Sequence, residues 1–134
     1  MQLTKTEGYC LMGLLYLAKQ DKRRVVSTLE VAKAIDVPAA FLSNMFMELG
    51  KVGIIIPYRG THGGFILSRS PEFITIREVI EATKGPYNLV NCIHDPGCCD
   101  RYDSCTIRDV LIKINDQLRD VIDKFSLKDF LDSI

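Results

Sequence analysis

STLEVAKAIDVPAAFLSNMFMELGKVGIIIPYRGTHGGFIL, residues 27–67, is the stretch whose reading decides the fold. Ser27-Thr28-Leu29-Glu30 has the S/T-x-x-E form of a capping box, in which a hydroxyl and an acid satisfy the free N–H groups at the start of a helix. Leu29, Val31, Ala32 and Ile35 then recur at helical spacing, and the pattern ends near Asp36-Val37. Pro38 suits the first turn of another helix, whose apolar positions Phe41, Leu42, Met45, Phe46 and Leu49 run until Gly50 stops them. Two short helices about one turn apart outline a helix-turn-helix. Next come Ile54-Ile55-Ile56-Pro57-Tyr58, the turn Arg59-Gly60-Thr61-His62-Gly63-Gly64, and Phe65-Ile66-Leu67. This is a two-stranded hairpin, and a hairpin directly after a helix-turn-helix is a wing.

Working outward, Thr4-Lys5-Thr6-Glu7 is another capping box and leads into Tyr9 to Ala18, apolar on nearly every face, which reads as a buried first helix. Thr75-Ile76-Arg77-Glu78 starts a helix carrying Val79 and Ile80 and closed by Lys84-Gly85-Pro86. Ile107, Val110, Leu111, Ile114, Leu118, Val121, Ile122 and Phe125 then make a stripe with steps of three and four over roughly five turns. Ser126-Leu127-Lys128-Asp129 caps a last short turn. A winged helix-turn-helix that reads palindromic DNA needs a partner at fixed distance, and a long exposed helix can hold one. The expected fold is mainly α with a small β wing: a winged helix-turn-helix plus a long C-terminal dimerisation helix. The expected divisions are a DNA-binding domain over 1–83, a cysteine-rich loop over 84–105, and the dimerisation helix with its C-terminal turn over 106–134.

The length, 134 residues, is about one domain, and 47% apolar content suffices for a core. Seventeen basic residues balance seventeen acidic ones, so any nucleic-acid partner must be argued from local arrangement. The longest apolar run, Tyr9 to Ala18, is too short to span a bilayer, and no signal-peptide pattern precedes it. A soluble, cytoplasmic protein is expected. In a reducing compartment, five cysteines point to metal binding or redox sensing before disulfides.

Four of those cysteines, Cys92, Cys98, Cys99 and Cys105, fall within NCIHDPGCCDRYDSC, residues 91–105. Thiolates on a segment rich in Asp, Gly and Pro can converge on one soft metal centre without opposing a helix or strand. Neighbouring side chains on extended backbone diverge, so one of Cys98 and Cys99 is expected to be spare. The C-x-x-C knuckle of structural zinc is absent, which ranks zinc below iron–sulfur. Cys10, within the apolar first helix, reads as a small buried hydrophobe.

The start Met1-Gln2-Leu3-Thr4, the wing with Arg59-Gly60 and Gly63-Gly64-Phe65, the ITIREVIEA helix, the cysteine loop and the long closing helix together resemble the IscR/NsrR family of bacterial transcription regulators, over nearly the whole chain. The resemblance implies a homodimer whose iron–sulfur cluster, [2Fe-2S] or [4Fe-4S], sets its affinity for a palindromic operator in response to iron, redox or nitric-oxide status. Similar proteins tend to keep five residues between the second and third ligands, which selects Cys92, Cys99 and Cys105. Cys98 keeps the same gap from Cys92 and is the alternative to Cys99. For the fourth ligand, relatives that use a histidine after the last cysteine have Arg108 at that place here, which stays protonated and cannot ligate. Relatives that use an acid of the partner's first helix have Gly8 here, with Glu7 one residue earlier. Glu7 is also explained as the third position of the capping box, and His94, Asp100 and Asp103 are alternatives in the loop.

If the third helix is the recognition helix, its outward positions include Ala39, Ala40, Ser43, Asn44, Met47 and Glu48, a nearly uncharged surface. Asn44 can pair bidentately with adenine, and Ser43 can donate or accept at either kind of base pair. Positive charge comes from Lys5, the run Lys22-Arg23-Arg24, Lys51 and Arg59, with His62 in the wing turn a phosphate-contacting candidate. The resemblance places Arg59 in the minor groove. Double-stranded DNA and a second copy are the expected partners, with no membrane and no bond-making chemistry. Two other classes stay open: a metal-free thiol sensor using Cys98 or Cys99, and an iron–sulfur carrier or electron-transfer module that does not bind DNA.

Overall fold

The computed structural model describes residues 2–93 and 95–134. Its helices are α1 (Lys5–Ala18), α2 (Thr28–Ile35), α3 (Ala39–Lys51), α4 (Ile76–Lys84), α5 (Arg108–Lys124) and α6 (Leu127–Asp132). Strands β1 (Ile55–Tyr58) and β2 (Gly64–Leu67) pair antiparallel, with Ile55 opposite Leu67 and Tyr58 opposite Gly64. This is a winged helix-turn-helix followed by a long helix.

The capping chemistry explains most of the boundaries. Thr4 with Glu7, Thr75 with Glu78 and Ser126 with Asp129 each form a complete box. At α2 only half of the expected box forms. Ser27 Oγ accepts the Glu30 N–H at 3.1 Å, but the Glu30 carboxylate turns away to Tyr16 and Arg24, each at 2.8 Å. Asp36 ends α2 in the left-handed region, at φ 56°, which an Asp side chain tolerates. Pro38 stands just before the first turn of α3 and not within it, its carbonyl accepting the Leu42 N–H at 3.1 Å.

Gly50 does not stop α3, which runs on to Lys51. The stop is Gly53, at φ 78°. Gly53 N–H bonds the Gly50 carbonyl at 3.1 Å and Ile54 N–H the Leu49 carbonyl at 3.0 Å, the paired bonds of a Schellman cap. Gly50 is not in the left-handed region, so it continues the helix where the hydrogen bonds allow.

The core gathers Leu14 and Leu17 from α1, Val31 from α2, Leu42, Phe46 and Leu49 from α3, Ile54 and Ile55 at the wing base, and Val79 and Ile80 from α4. Leu127 of α6 belongs to the same core and is fully buried. The segment after the long helix therefore folds back onto the winged domain: Ile76 N–H donates to the Phe125 carbonyl at 2.8 Å, and Leu127 N–H to that of Ile74 at 3.0 Å. The wing is fixed as well, because Val26 and Phe65 exchange two backbone bonds of 3.0 and 2.8 Å. Gly64 is required beside that bridge, since a Cβ there would lie 2.1 Å from the Val26 carbonyl oxygen.

The apolar stripe of α5 divides into two faces. Leu111, Ile112, Leu118 and Ile122 are half-buried, Ile122 against the core, whereas Val110, Ile114 and Val121, with Ile107 and Phe125 just beyond the helix ends, are exposed by between 42% and 61%. One subunit covers only the first face. Among the described residues no helix is long and apolar enough to cross a membrane.

Candidate functional site

α3, the candidate recognition helix, presents Ala40, Asn44, Met47, Glu48 and Lys51 as an exposed row with steps of three and four, and Ser43 is half-buried beside it. Ala39, expected to face outward, packs against the core instead, because the first turn of α3 leans on its neighbours. The row carries little net charge: Lys51 Nζ is 2.8 Å from Glu48 Oε1. α3 is seated on α1, with the Tyr9 ring edge-on to Phe41 at 5.9 Å, Cys10 Sγ 3.4 Å from Met45 Sδ, and Gly13 opening room for the Phe46 ring. Burial pushes the Cys10 thiol up to about 12, with the Glu7 charge adding to it, so Cys10 is an inert apolar group.

Arg59 and His62 are exposed at the wing tip, where the turn closes through Gly63 N–H to the Gly60 carbonyl at 3.0 Å. A Cβ on Gly63 would stand 2.5 Å from the Tyr58 carbonyl oxygen, so this tight turn needs glycine. Lys5 opens α1 and is exposed. Lys22 and Arg23 are exposed in the loop after α1, whereas Arg24 is tied to both carboxylate oxygens of Glu30.

The cysteine segment folds into three short 3-10 turns, Asn91–Ile93, Pro96–Cys98 and Tyr102–Ser104. Asp95 starts the second, its carboxylate accepting the Gly97 N–H at 3.2 Å. Cys92 and Cys105 are half-buried, Cys98 and Cys99 exposed, and all four thiols are free. Local desolvation, and after it the charges of Asp95, Cys92 and Cys99, push the Cys98 thiol up. A bound cation reverses that effect and favours thiolates. The donor set thus suits an iron–sulfur cluster. Among the described residues, however, no three His, Cys, Asp or Glu side chains are gathered as they would be around a metal ion. His94 lies outside the described residues.

Both ends of the segment are anchored. At the far end, the Arg108 guanidinium donates to the Tyr102 carbonyl and lies 4.5 Å above the Tyr102 ring. At the near end, Asn115 Oδ1 accepts the Leu89 N–H at 2.6 Å, and Glu81 accepts the Tyr87 N–H at 3.2 Å. Sequence reasoning missed Asn115. The signal was a polar residue on the face shared by Leu111, Leu118 and Ile122.

Glu7 is buried at the start of α1. Its carboxylate is 1% exposed and accepts from the Thr4 N–H and hydroxyl and from the Thr83 hydroxyl, with Lys84 Nζ at 3.2 Å. Burial works to raise its pKa, but the Thr4 hydroxyl and N–H, then Lys84, outweigh it and hold the acid below the usual glutamate range.

A helix-turn-helix with a rigid glycine-tipped wing, joined through a thiol-rich segment to a long two-faced helix, defines a winged-helix DNA-binding regulator. Residues 3–133 match the family model Rrf2, iron-dependent transcriptional regulator, and the chain belongs to that family. It is 33% identical over 132 residues to the HTH-type transcriptional regulator NsrR of Bacillus licheniformis, covering 98% of this chain and 92% of that one. Among solved structures, CymR, the global cysteine regulator of B. subtilis, superposes with a TM-score of 0.77 at 23% identity, covering 100% of this chain and 98% of that chain. IscR of T. potens superposes with a TM-score of 0.73 at 21% identity, covering 99% and 88%. The expected fold and family are those found.

Proposed function

We propose that this regulator acts as a homodimer whose hold on a palindromic operator is set by an iron–sulfur cluster in the cysteine segment. The observation that carries this reading is a set of four free thiols on turn-rich backbone, anchored at one end by Asn115 and at the other by Arg108, between the winged domain and α5. Cys92, Cys99 and Cys105 would hold the cluster, with Cys98 as the alternative to Cys99; Asp100 and Asp103 are candidates to complete the set. When bound, the cluster supplies a centre sensitive to iron, redox state or nitric oxide.

The chain's own residues do the rest. Val110, Ile114 and Val121 pair α5 with its twin, which fixes the distance between two recognition helices. Asn44 and Ser43 read base edges, Arg59 enters the minor groove, and Lys5, Lys51 and His62 approach phosphates. Anaerobically purified protein is expected to carry iron and sulfide in equal amounts with visible charge-transfer absorption. Replacing Cys92, Cys99 or Cys105 by Ala should abolish both the absorption and the response of operator binding. Colourless, iron-free protein with unaltered DNA binding in those variants would sink the reading.

A second reading follows from the exposure of adjacent Cys98 and Cys99: a metal-free sensor in which one of them is oxidised or persulfidated. Mass labelling of anaerobic protein separates the two, since thiols bound to metal resist alkylation and those of a bare sensor do not.

A further inference from the structure

The chain has three complete capping boxes among the described residues, and only one acid of the three is buried. The Glu78 side chain is 42% exposed and Asp129 is exposed, yet both cap their helices fully. Glu7 is 1% exposed and also takes a partner from the other side of the fold, Lys84. Burying a carboxylate costs several kcal/mol unless it is paired and hydrogen-bonded, so capping alone does not account for it.

Lys84 is the last residue of α4, and Gly85 caps the helix, so the cysteine segment hangs from this point. Its ammonium also donates to the Gln2 carbonyl, and the neighbouring Thr83 hydroxyl donates to Glu7 at 3.4 Å. On the other side, Glu7 lies less than one turn from Tyr9 and Cys10, the α1 residues that seat α3 on Phe41 and Met45. Thr6 and Thr83 share one groove of about 280 Å³ with Asn44, Met47 and Glu48 of the reading face. The root of the cysteine segment, the start of α1 and the recognition helix meet there.

We propose that Glu7 and Lys84 are positioning residues that carry the state of the cysteine segment to the recognition helix, an inference that rests on the regulator reading above. A change in the segment pulls on Gly85 and Lys84. The buried carboxylate cannot follow by small degrees, because losing its cation leaves a desolvated charge, so the first turn of α1 moves with α4 and shifts the bed of α3.

The first test uses metal-free protein: hydrogen exchange in wild type, Glu7→Gln, Lys84→Met, Lys84→Arg and the Glu7→Gln/Lys84→Met double variant. Exchange is expected to rise about tenfold in both 86–93 and 39–48 in each single loss variant, while 28–35 and 64–67 keep wild-type rates. The double variant should be no faster than the singles, and Lys84→Arg should stay near wild type. Uniform acceleration, or a change confined to the first turn of α1, overturns the proposal, since either describes a purely structural role. The second test compares operator Kd between cluster-loaded and cluster-free protein. The ratio should fall towards one in Glu7→Gln and Lys84→Met, and a wild-type ratio in both overturns the proposal. A wild-type protein whose Kd ignores the cluster overturns the regulator reading instead, and the exchange result still decides the coupling.

Discussion

The side-chain oxygen of Asn115, 2% exposed in the middle of α5, accepts the Leu89 N–H at 2.6 Å, while its Nδ2 reaches Asn88 Oδ1 at 3.3 Å. A buried amide on the long helix thus pins the backbone that enters the cysteine segment. Asn115→Leu fills similar volume but removes the acceptor, which leaves a half-buried N–H unpaired. The expected cost is about 1–3 kcal/mol, seen by calorimetry as a fall of several degrees in Tm. Asn115→Asp, which keeps an acceptor, should lose less.

Glu7 gives the stability a pH signature. The unfolded chain binds its proton at the ordinary glutamate pKa and the folded chain only at a lower one. The contribution is therefore complete above the ordinary value and fades as pH falls through the depressed one. Glu7→Gln should cost about 1–3 kcal/mol in urea unfolding at pH 7, and its difference from wild type should shrink below about pH 4. A difference that is constant across this range would refute the assignment.

The wing depends on a close backbone approach. In Gly64→Ala the new Cβ would lie 2.1 Å from the Val26 carbonyl oxygen and 2.8 Å from the Ser27 nitrogen, both backbone atoms that cannot turn aside. The Val26–Phe65 bridge should open, at a cost of about 2 kcal/mol or more in denaturant unfolding. Operator binding should weaken beyond what the residual unfolded fraction explains.

Arg59 tests the wing tip without touching the fold. It is exposed and makes no hydrogen bond or ion pair among the described residues, so Arg59→Ala should leave Tm unchanged. Operator affinity should fall by about 1–3 kcal/mol, and the slope of log K against log salt should flatten by about one. Lys51→Ala should cost less, since Lys51 already pairs with Glu48.

The outer face of α5 tests assembly. Ile114→Glu and Val121→Glu place charges at positions exposed in the single subunit, so each subunit should remain folded. Sedimentation equilibrium should show the dimer weakened by at least about a hundredfold, with operator affinity lost in parallel. An unchanged dimer in the double variant would place the interface elsewhere.

The winged domain was legible in the sequence because its signals are local. Three capping boxes set helix starts, and the Arg59 to Gly64 turn between apolar runs gives a hairpin. Local patterns misled where long-range bonds choose among local options. Gly50 looks like a stop, but the carbonyls of Leu49 and Gly50 wait for Ile54 and Gly53. Glu30 completes a capping motif on paper and is drawn off by Arg24 and Tyr16. In the sequence the α5 stripe is one surface, because periodicity records apolarity and not which side meets the domain. At the candidate site, the thiols were evident from composition alone. The groups that hold their loop in place, Asn115, Arg108 and Lys84, pair with residues far away in sequence or with a ring face, and no spacing rule reports such pairs.

The docking of α6 has a mechanical consequence. Through Phe125 and Leu127, one end of α5 is sewn to the winged domain by backbone bonds of 2.8 and 3.0 Å, while the opposite end meets the cysteine segment through Arg108 and Tyr102. The 17-residue helix is thus a lever about 25 Å long with its fulcrum beside α4. A tilt of about five degrees moves the Arg108 end by roughly 2 Å, more than a hydrogen bond can stretch. A rotation of that size at the fulcrum therefore breaks the Arg108–Tyr102 contacts unless the cysteine segment travels with the helix.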